Sequence, residues 1–321
     1  MLNPNLHTVL FTGGLDSTYR LCQLALDKDA VVQPVYIMFP KDGHVHYRPE
    51  IANEVKAQDK ILDYLTHHPL TKAKFLPIQR IHRSEIPSDI RYRSLEKWLC
   101  NCRLGWQYIY IALYAKWHPG VELCHEVYSP LFAEYDVKFF KTPLNETYMF
   151  TEGLPKILRL TFENVTFPLL GVTRRDMLDN LRRWKFDEVL SYVWFCYCSV
   201  NDKPCGACDN CYTKIEQGLS FLFDKNAMKR YYIRKVLGFF SSNRLHILYL
   251  DYLSTGLSLH DPSLYSVLFP LDKNYDYSHM KDLRFLQKIS DFTLSQLKHL
   301  CHKALLVKDP SQIVMNMYNA C

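Results

Sequence analysis

The stretch that decides the fold is Thr8–Thr18, which reads TVLFTGGLDST. Its first part, Thr8–Phe11, is typical of a β-strand, and Ser17–Leu26 has the apolar spacing of a helix. Two glycines, Gly13 and Gly14, lie at the junction. A strand that ends in Gly-Gly and enters a helix directs several backbone N–H groups into one small space at the positive helix end. That space suits a phosphate group.

The side chains of this turn extend the prediction. The hydroxyls of Thr12, Ser17 and Thr18 can donate hydrogen bonds to phosphate oxygens. Asp16 would repel phosphate unless a divalent cation lay between them, and Mg²⁺ would reconcile the two. A plain glycine turn with an aspartate near the helix cap is the alternative. The residues predicted to bind the phosphate group or its metal ion are Thr12, Gly13, Gly14, Leu15, Asp16, Ser17 and Thr18.

Strand-like and helical patterns alternate along the following segments. The strand candidates are Val31–Phe39, Ala73–Ile78, Val121–Val127 and Val165–Leu170, and the helix candidates are Ile51–Tyr64, Leu104–Trp117 and a helix that begins after Thr173 with Asp176 three residues later. This order predicts an α/β fold with a doubly wound, mainly parallel sheet covered by helices.

The composition sets wide limits on function. The 321 residues are 48% hydrophobic and 22% charged, which predicts a globular chain with a substantial core. A net charge of +6 fits an enzyme of anionic substrates as well as a nucleic-acid binder. Because no apolar run is long enough to span a bilayer and no secretory signal is evident, we expect a cytoplasmic protein without a membrane partner.

The cysteines indicate a metal site. Cys196, Cys205, Cys208 and Cys211 follow the pattern C-x8-C-x2-C-x2-C, and four thiolates are what a closed tetrahedral Zn²⁺ site requires. Cys198 is an alternative to Cys196 as a ligand. Ordinary buried thiols and an iron–sulfur cluster are the other interpretations. A closed site leaves no coordination position for water, so we expect the zinc to fix a loop.

Two motifs together resemble known families. The string Thr12–Thr18 is similar to the Ser-Gly-Gly-x-Asp-Ser pyrophosphate loop (PP-loop) of the N-type ATP pyrophosphatases. Trp194–Tyr197 and the Cys-Gly-x-Cys-x-x-Cys run at Cys205–Cys211 resemble the 7-cyano-7-deazaguanine synthase (QueC) family. Phe167–Leu170 and Thr173–Met177 look like that family's Pro-Leu and Thr-Lys-x-Glu segments, with Arg174 at the lysine position.

The resemblance implies an ATP-dependent, AMP-forming ligase. Such an enzyme adenylates 7-carboxy-7-deazaguanine, uses ammonia to form the amide, and converts the amide to the nitrile in a second ATP-dependent round. The whole reaction belongs to queuosine biosynthesis. It implies ATP, Mg²⁺ and Zn²⁺ as cofactors. Asp16 would organise metal and pyrophosphate, Ser17 would bind phosphate, and Arg103 or Arg174 would stabilise the α-phosphate. An exposed residue at a helix start is the other interpretation of Arg103.

The substrate segment departs from the family. Where the family carries Tyr-Pro-Asp-Cys-Arg, this chain has Tyr128–Phe132, which reads YSPLF. This difference favours a relative that stops at the amide, or that joins a deazaguanine acyl group to a protein or nucleic acid in a phage or defence system. A tRNA-modifying enzyme with the same ATP-binding loop is a further alternative. His44, His46 and Arg48 can contact a ligand or form a polar surface loop.

Two domains are predicted. Residues 1–220 would form the ATP pyrophosphatase domain, with the zinc loop at 194–214, and residues 221–321 a mainly helical extension. That extension can supply a homodimer surface, bind a macromolecular acceptor, or cover the sheet edge. Basic and aromatic residues are interleaved in Lys229–Lys235, a pattern that fits nucleic-acid binding or an exposed helix with a buried aromatic face.

Overall fold

The structure, a computed structural model, describes residues 5–42, 47–90, 92, 106–125, 138–141, 148–152 and 156–240. The chain divides between Tyr197 and Cys198 into two compact units. The sheet and the predicted phosphate turn belong to the first unit, and three of the four predicted metal ligands belong to the second. The domain boundary at residue 220 stays a prediction.

A parallel sheet forms the centre of the first unit. Its strands are β1 (Leu6–Leu10), β2 (Val31–Met38), β3 (Lys74–Phe75), β4 (Gln79–His82), β5 (Val121–Glu122) and β8 (Val165–Thr166). The order is β3-β2-β1-β5-β8, and β4 also pairs with β2. Every one of these pairs is parallel. A separate antiparallel pair joins β6 (Lys138–Lys141) and β7 (Tyr148–Glu152).

Helices connect these strands. In the first unit they are α1 (Leu15–Ala25), α2 (Ile51–His67), α3 (Gln107–Trp117), α4 (Lys156–Phe162) and α5 (Arg174–Arg183). Helix α1 contacts α2 and α5, and α3 contacts α4. These two groups of helices make the fold compatible with a doubly wound arrangement. The α/β class and the mainly parallel sheet are therefore confirmed.

The second unit contains α6 (Asp209–Lys214) and α7 (Lys225–Phe240). A π turn covers Ile215–Leu219 and a 3₁₀ turn covers Ser220–Leu222 between them. Helix α7 lies within the predicted extension, 221–321. The rest of the predicted extension, 241–321, lies outside the described residues.

A buried cluster packs α3 against the sheet. It combines Leu10, Val35 and Val121 from three strands with residues of α3 such as Ala112 and Leu113. Because α3 is apolar on most of its surface, it can fill this position beside the sheet. None of the described helices combines the length and the apolar character needed to cross a membrane.

One predicted strand differs from the structure. The sequence predicts one extended segment over Ala73–Ile78, whereas the structure has two short strands, β3 and β4, on either side of Pro77. Both pair with β2, at Val31–Val32 and at Val35–Met38. Pro34 lies between these two paired regions and has no backbone N–H to donate. The interruption of the edge therefore falls where β2 lacks a donor.

Candidate functional site

The Gly-Gly turn is where the backbone leaves β1 and enters α1. Gly13 has φ +79°, a left-handed conformation that favours glycine. Gly14 is the N-cap of α1, with φ −77° and ψ 166°, and has no side chain that could accept from the first helical amides. Those amides have no partner within a helix. The turn therefore leaves backbone donors at the positive end of α1 without a side-chain cap.

Two parts of the first unit flank this turn. From one side, a Cβ added at Gly13 would lie 3.4 Å from the Ala57 Cβ and 3.5 Å from the Gln58 Cγ of α2. From the other side, the Trp194 N–H donates to the Gly13 carbonyl at 2.9 Å. A Cβ at Gly14 would meet only the Thr12 hydroxyl at 3.4 Å and the Trp194 carbonyl at 3.8 Å. Gly13 is enclosed by protein, while Gly14 keeps space beside it.

The structure brings Asp16 and Arg174 together. Nη2 of Arg174, at the start of α5, lies 3.3 Å from Oδ1 of Asp16 in α1. The Arg174 side chain is 11% exposed and that of Asp16 is 31% exposed. Helix α5 begins with the predicted capping box, in which Thr173 and Asp176 satisfy each other's backbone N–H groups. This cap sets the helix start and so the position of Arg174.

Polar atoms near the turn lack hydrogen-bond partners. Among the described residues, the buried Oγ1 of Thr18 makes no hydrogen bond, and the buried Oδ1 of Asp16 accepts none, although it forms the ion pair with Arg174. Ser17 differs, because its hydroxyl donates to the Gly14 carbonyl at 3.3 Å. A buried polar group without a partner costs free energy, about 1–3 kcal/mol. Phosphate oxygens and a cation would supply the missing partners, so the residues present fit a bound metal–phosphate group.

A histidine that sequence reasoning missed lies after β5. The Nε2 of His125 is 3.0 Å from the Tyr108 hydroxyl, and the two rings stack with centroids 6.0 Å apart. Burial lowers the pKa of His125 to about 4, and the negative charge of Asp16 acts in the opposite direction. His125 is therefore neutral at pH 7. The sequence extended the strand to Val127, which hid the position of His125 at the carboxyl end of β5.

The carboxyl ends of parallel strands form the usual ligand-binding edge of an α/β sheet. Asp16 follows β1, His125 follows β5 and Arg174 follows β8, so the three residues come from neighbouring strands at that edge. Strand β1 is central, with β2 on one side and β5 on the other. This is the part of the sheet where the chain order reverses, and such a switch point is where ligands bind.

Arg48 belongs to a separate buried network. Its Nε and Nη2 donate to the Glu54 carboxylate, at 3.0 and 2.6 Å, and its Nη1 donates to the Gln107 Oε1 at 3.1 Å. Burial alone would lower the pKa of Arg48, but the Glu54 carboxylate outweighs it and raises that pKa. The guanidinium also lies 5.8 Å from the ring centroid of Tyr197, which is 39% exposed. His44 and His46 lie outside the described residues.

A second buried network fixes β5 beside β1. Glu122 accepts from the Arg20 Nε at 2.7 Å and Nη2 at 2.9 Å, and it lies 2.8 Å from the His7 Nδ1. All three residues are buried. Burial would raise the pKa of Glu122, but Arg20 and His7 outweigh this effect and hold it below its usual value. Nothing in the sequence pattern marks these residues as partners, because they are distant along the chain.

The four predicted cysteines form one cluster. Cys196, Cys205, Cys208 and Cys211 are buried, and their sulfurs all lie within 4.8 Å of one another. The Cys205 and Cys211 sulfurs are 3.9 Å apart. With Zn–S bonds of about 2.3 Å, a tetrahedral zinc site has sulfurs about 3.8 Å apart. The cluster can therefore hold a metal ion.

The loop Cys205–Cys208 carries backbone hydrogen bonds to one of the cysteine sulfurs. The backbone N–H groups of Ala207 and Cys208 donate to the Cys205 sulfur at 3.3 and 3.1 Å. Donors aimed at a sulfur favour its thiolate form. Cys198, the alternative ligand, is half-buried and does not belong to the cluster. Of the two alternatives, the structure therefore places Cys196, and not Cys198, beside the other three cysteines.

Arg103 and the segment Tyr128–Phe132 lie outside the described residues, so their predicted roles stay predictions. A comparison of the chain with protein-family models and with curated proteins finds no match.

Proposed function

We propose that this chain is an ATP-dependent, AMP-forming ligase whose PP-loop is the turn at Gly13–Gly14. The observation that carries the proposal is the pairing of Asp16 with Arg174 at the open end of α1. An anion that follows β1 and a cation that follows β8 lie together at the N-terminus of α1, where amide donors favour a phosphate group. A magnesium nucleotide would satisfy both charges, with phosphate beside Arg174 and the metal ion beside Asp16.

The proposed reaction begins at the α-phosphate of ATP. A carboxylate oxygen of the acyl substrate attacks the α-phosphorus, and the bond to the departing pyrophosphate breaks. The amides after Gly14 and the Arg174 guanidinium stabilise the negative charge that develops on the phosphate oxygens. Mg²⁺, when bound, would neutralise charge on the phosphates, and Asp16 would hold it. The resulting acyl adenylate then reacts with an amine at the carbonyl carbon, and AMP leaves.

The proposed substrate is 7-carboxy-7-deazaguanine, with ammonia as the nitrogen donor. Support for this choice comes from the Trp194–Tyr197 and Cys205–Cys211 motifs. A second adenylation, at the amide oxygen, would remove that oxygen with AMP and leave the nitrile. The proposed enzyme holds Zn²⁺ in the four-cysteine cluster as a structural ion, because four protein ligands leave no open coordination position. Reduced thiolates of this kind fit a cytoplasmic enzyme.

The test is direct. Purified full-length protein is incubated with 7-carboxy-7-deazaguanine, ammonium and Mg-ATP, and the products are weighed by mass spectrometry. The nitrile together with AMP is the expected result. The amide alone would assign the chain to the alternative enzyme that stops there or transfers the acyl group to a macromolecule. No AMP from any deazaguanine acid would reject the proposal.

Asp16→Asn separates catalysis from folding in this assay. We expect AMP formation to fall by at least about 100-fold, because the metal-binding charge is lost at the phosphate site. Zinc content should stay unchanged, since the proposed zinc ligands are the four clustered cysteines and Asp16 is not one of them. Asp29→Asn, the same change at an exposed position beyond α1, is the matched control and should keep full activity. Undiminished AMP formation by Asp16→Asn would contradict the assignment of the turn.

A further inference from the structure

Helix α7 places two arginines against the cysteine loop. The Arg230 Nε donates to the Cys205 carbonyl oxygen at 2.6 Å. The Arg234 Nη1 donates to the Ala207 carbonyl oxygen at 2.7 Å. Residues four apart lie on one face of a helix. One face of α7 therefore binds both carbonyls that flank Gly206.

Gly206 allows the helix to come this close. Its φ is +78°, and a Cβ added there would overlap the Ala227 carbonyl oxygen in the first turn of α7. Asp224 fixes that first turn, since its Oδ1 accepts from the Ala227 N–H at 2.8 Å. Backbone therefore packs directly on backbone at the loop. The glycine serves this close approach as well as the turn between two metal ligands.

Arg234 is held from more than one side. Besides the Ala207 carbonyl, its Nη2 donates to the Asp209 carboxylate at 2.5 Å, and its guanidinium carbon lies 4.5 Å from the ring centroid of Tyr212. Its side chain is only 14% exposed, although that of Asp209 is 84% exposed. Tyr212 directly follows the ligand Cys211. The mostly buried charge of Arg234 is thus fixed between residues that directly neighbour two of the cysteines, Cys208 and Cys211.

A metal ion held by four thiolates leaves an excess of negative charge. For a divalent ion such as Zn²⁺, four thiolates give a site of net charge about −2. Groups that hydrogen-bond the ligand backbone and carry positive charge orient the ligands and stabilise that excess. Arg230 and Arg234 supply both effects through the contacts described above. In the run Lys229–Lys235, these two basic side chains are directed to the loop, and Tyr231 beside them is buried.

We propose that Arg230 and Arg234 are positioning residues of the metal centre, so that α7 is part of the metal-binding unit. They hold the backbone of Cys205–Ala207 in its ligating conformation and offset the charge of the thiolates. This inference rests on the proposed metal centre and is independent of the proposed reaction.

Zinc affinity tests the inference in the full-length chain. The variants Arg230→Gln and Arg234→Gln are compared with Lys229→Gln, which removes the same charge from an exposed position on the same helix. Affinity is measured by competition with a chromophoric zinc chelator. Loss of such supporting contacts weakens metal binding by about 10-fold to 100-fold, which is the expected result for both arginine variants. Lys229→Gln should bind zinc as the wild type does.

Thermal unfolding with and without zinc separates positioning from simple stabilisation. A positioning role reduces the rise in Tm that zinc produces, because that rise depends on metal affinity. A merely structural role would lower the Tm of the metal-free and the zinc-bound protein equally. Arg234→Lys, which keeps the charge, is expected to recover part of the lost affinity. If Arg230→Gln fails to fold, the zinc affinities of Arg234→Gln and Arg234→Lys give the same test.

The outcomes distinguish this inference from the metal centre itself. Equal zinc affinities of the arginine variants and Lys229→Gln would overturn the inference and leave the metal centre intact. A wild-type chain that binds no zinc would overturn both. Neither result would bear on AMP formation, which is measured separately.

Discussion

At the scale of single residues, the two glycines of the turn have different roles. Gly13 needs its left-handed φ and is enclosed by α2 and by the Trp194 backbone. Gly14 has an ordinary φ of −77° that any residue adopts. A side chain at Gly14 would therefore be tolerated by the protein and would occupy the space proposed for phosphate.

Alanine substitutions test this difference. Gly13→Ala is expected to lower the free energy of unfolding by about 1–2 kcal/mol, the cost of a left-handed conformation. Gly14→Ala is expected to stay within about 1 kcal/mol of the wild type, the usual effect at an N-cap. It should nevertheless weaken ATP binding about 10-fold to 100-fold, because the methyl group overpacks the phosphate site.

Urea unfolding gives the stabilities, and isothermal titration calorimetry gives the affinity for ATP. Gly171→Ala is the matched control, since its Cβ would meet only the Tyr148 hydroxyl at 3.9 Å and its φ is unstrained. If Gly14→Ala bound ATP as tightly as this control, the turn would not be the phosphate site.

Some site residues could be predicted from the sequence and others could not. The turn and the cysteine ligands are local motifs, so their spacing alone indicates the chemistry. The turn and the family resemblance indicate Asp16, the resemblance alone indicates Arg174, and the structure places the two side chains 3.3 Å apart. His125 and the partners of Glu122 depend on which strands become neighbours, and one sequence does not encode that as a visible pattern.

At the scale of elements, β5 depends on charges more than on length. It has only two residues, yet Glu122 connects it to β1 through His7 and to α1 through Arg20. Because the pKa of Glu122 is lower in the folded chain, the carboxylate stabilises the fold at every pH above its unfolded value of about 4.3. That contribution is lost as the pH falls through the folded-state pKa.

Glu122→Gln tests this link. The substitution leaves the Arg20 charge buried without its counter-ion, so we expect the free energy of unfolding at pH 7 to fall by about 3–5 kcal/mol. The loss of stability between about pH 5 and pH 3 should also become less steep than in the wild type. Urea unfolding across this pH range measures both effects. Glu163→Gln, at an exposed position, should change neither. A parallel pH dependence in Glu122→Gln and the wild type would contradict the assigned role of Glu122.

The elements themselves were largely predictable. Short apolar runs indicate β1 and β2, and apolar residues at helical spacing indicate α1 and α2. The capping box indicates the start of α5. The division of Ala73–Ile78 into two strands was not predicted, because it depends on Pro34 in the neighbouring strand. The strands predicted at Val121–Val127 and Val165–Leu170 are present as β5 and β8 but end earlier, because the ends of a strand are set by its partners.

At the scale of the whole molecule, the two units have different sources of stability. The first has a parallel sheet with an apolar core. In the second, the loop that carries the cysteines is held by sulfur-directed amides and by α7. The Tyr231 hydroxyl and the Lys235 Nζ also contact the Glu216 carboxylate, and these hydrogen bonds lower the pKa of Glu216.

Removal of a metal ion bound at the cysteine cluster should therefore act locally. After treatment with a zinc chelator, we expect amide hydrogen exchange to rise at Ala207 and Cys208, by about 10-fold or more, because metal binding and local folding are coupled. Amides in β1 and β2 should keep their protection. Hydrogen exchange read by mass spectrometry, with zinc restored as the control, measures the change. An equal rise in the β1 and β2 amides would show that the metal stabilises the whole chain.

The class of the fold followed from the order of elements, which predicts a parallel sheet before any contact is known. The division into compact units after Tyr197 is a different division of the chain from the predicted domain boundary at residue 220, which stays a prediction. The contacts of the cysteine loop with α7 join residues that are distant along the chain, so no local pattern predicts them.

The short outer strands of the sheet have a consequence for self-association. On one side, the outer edge of β2 pairs with β3, which has two residues, and with β4, which has four. Pro77 separates these two strands. On the other side, Tyr148 pairs with Phe167 in antiparallel fashion next to β8. An incoming strand from a second molecule needs a long, continuous row of free backbone groups to polymerise. The described rims offer no such row, so growth into fibrils by strand addition is disfavoured at this sheet.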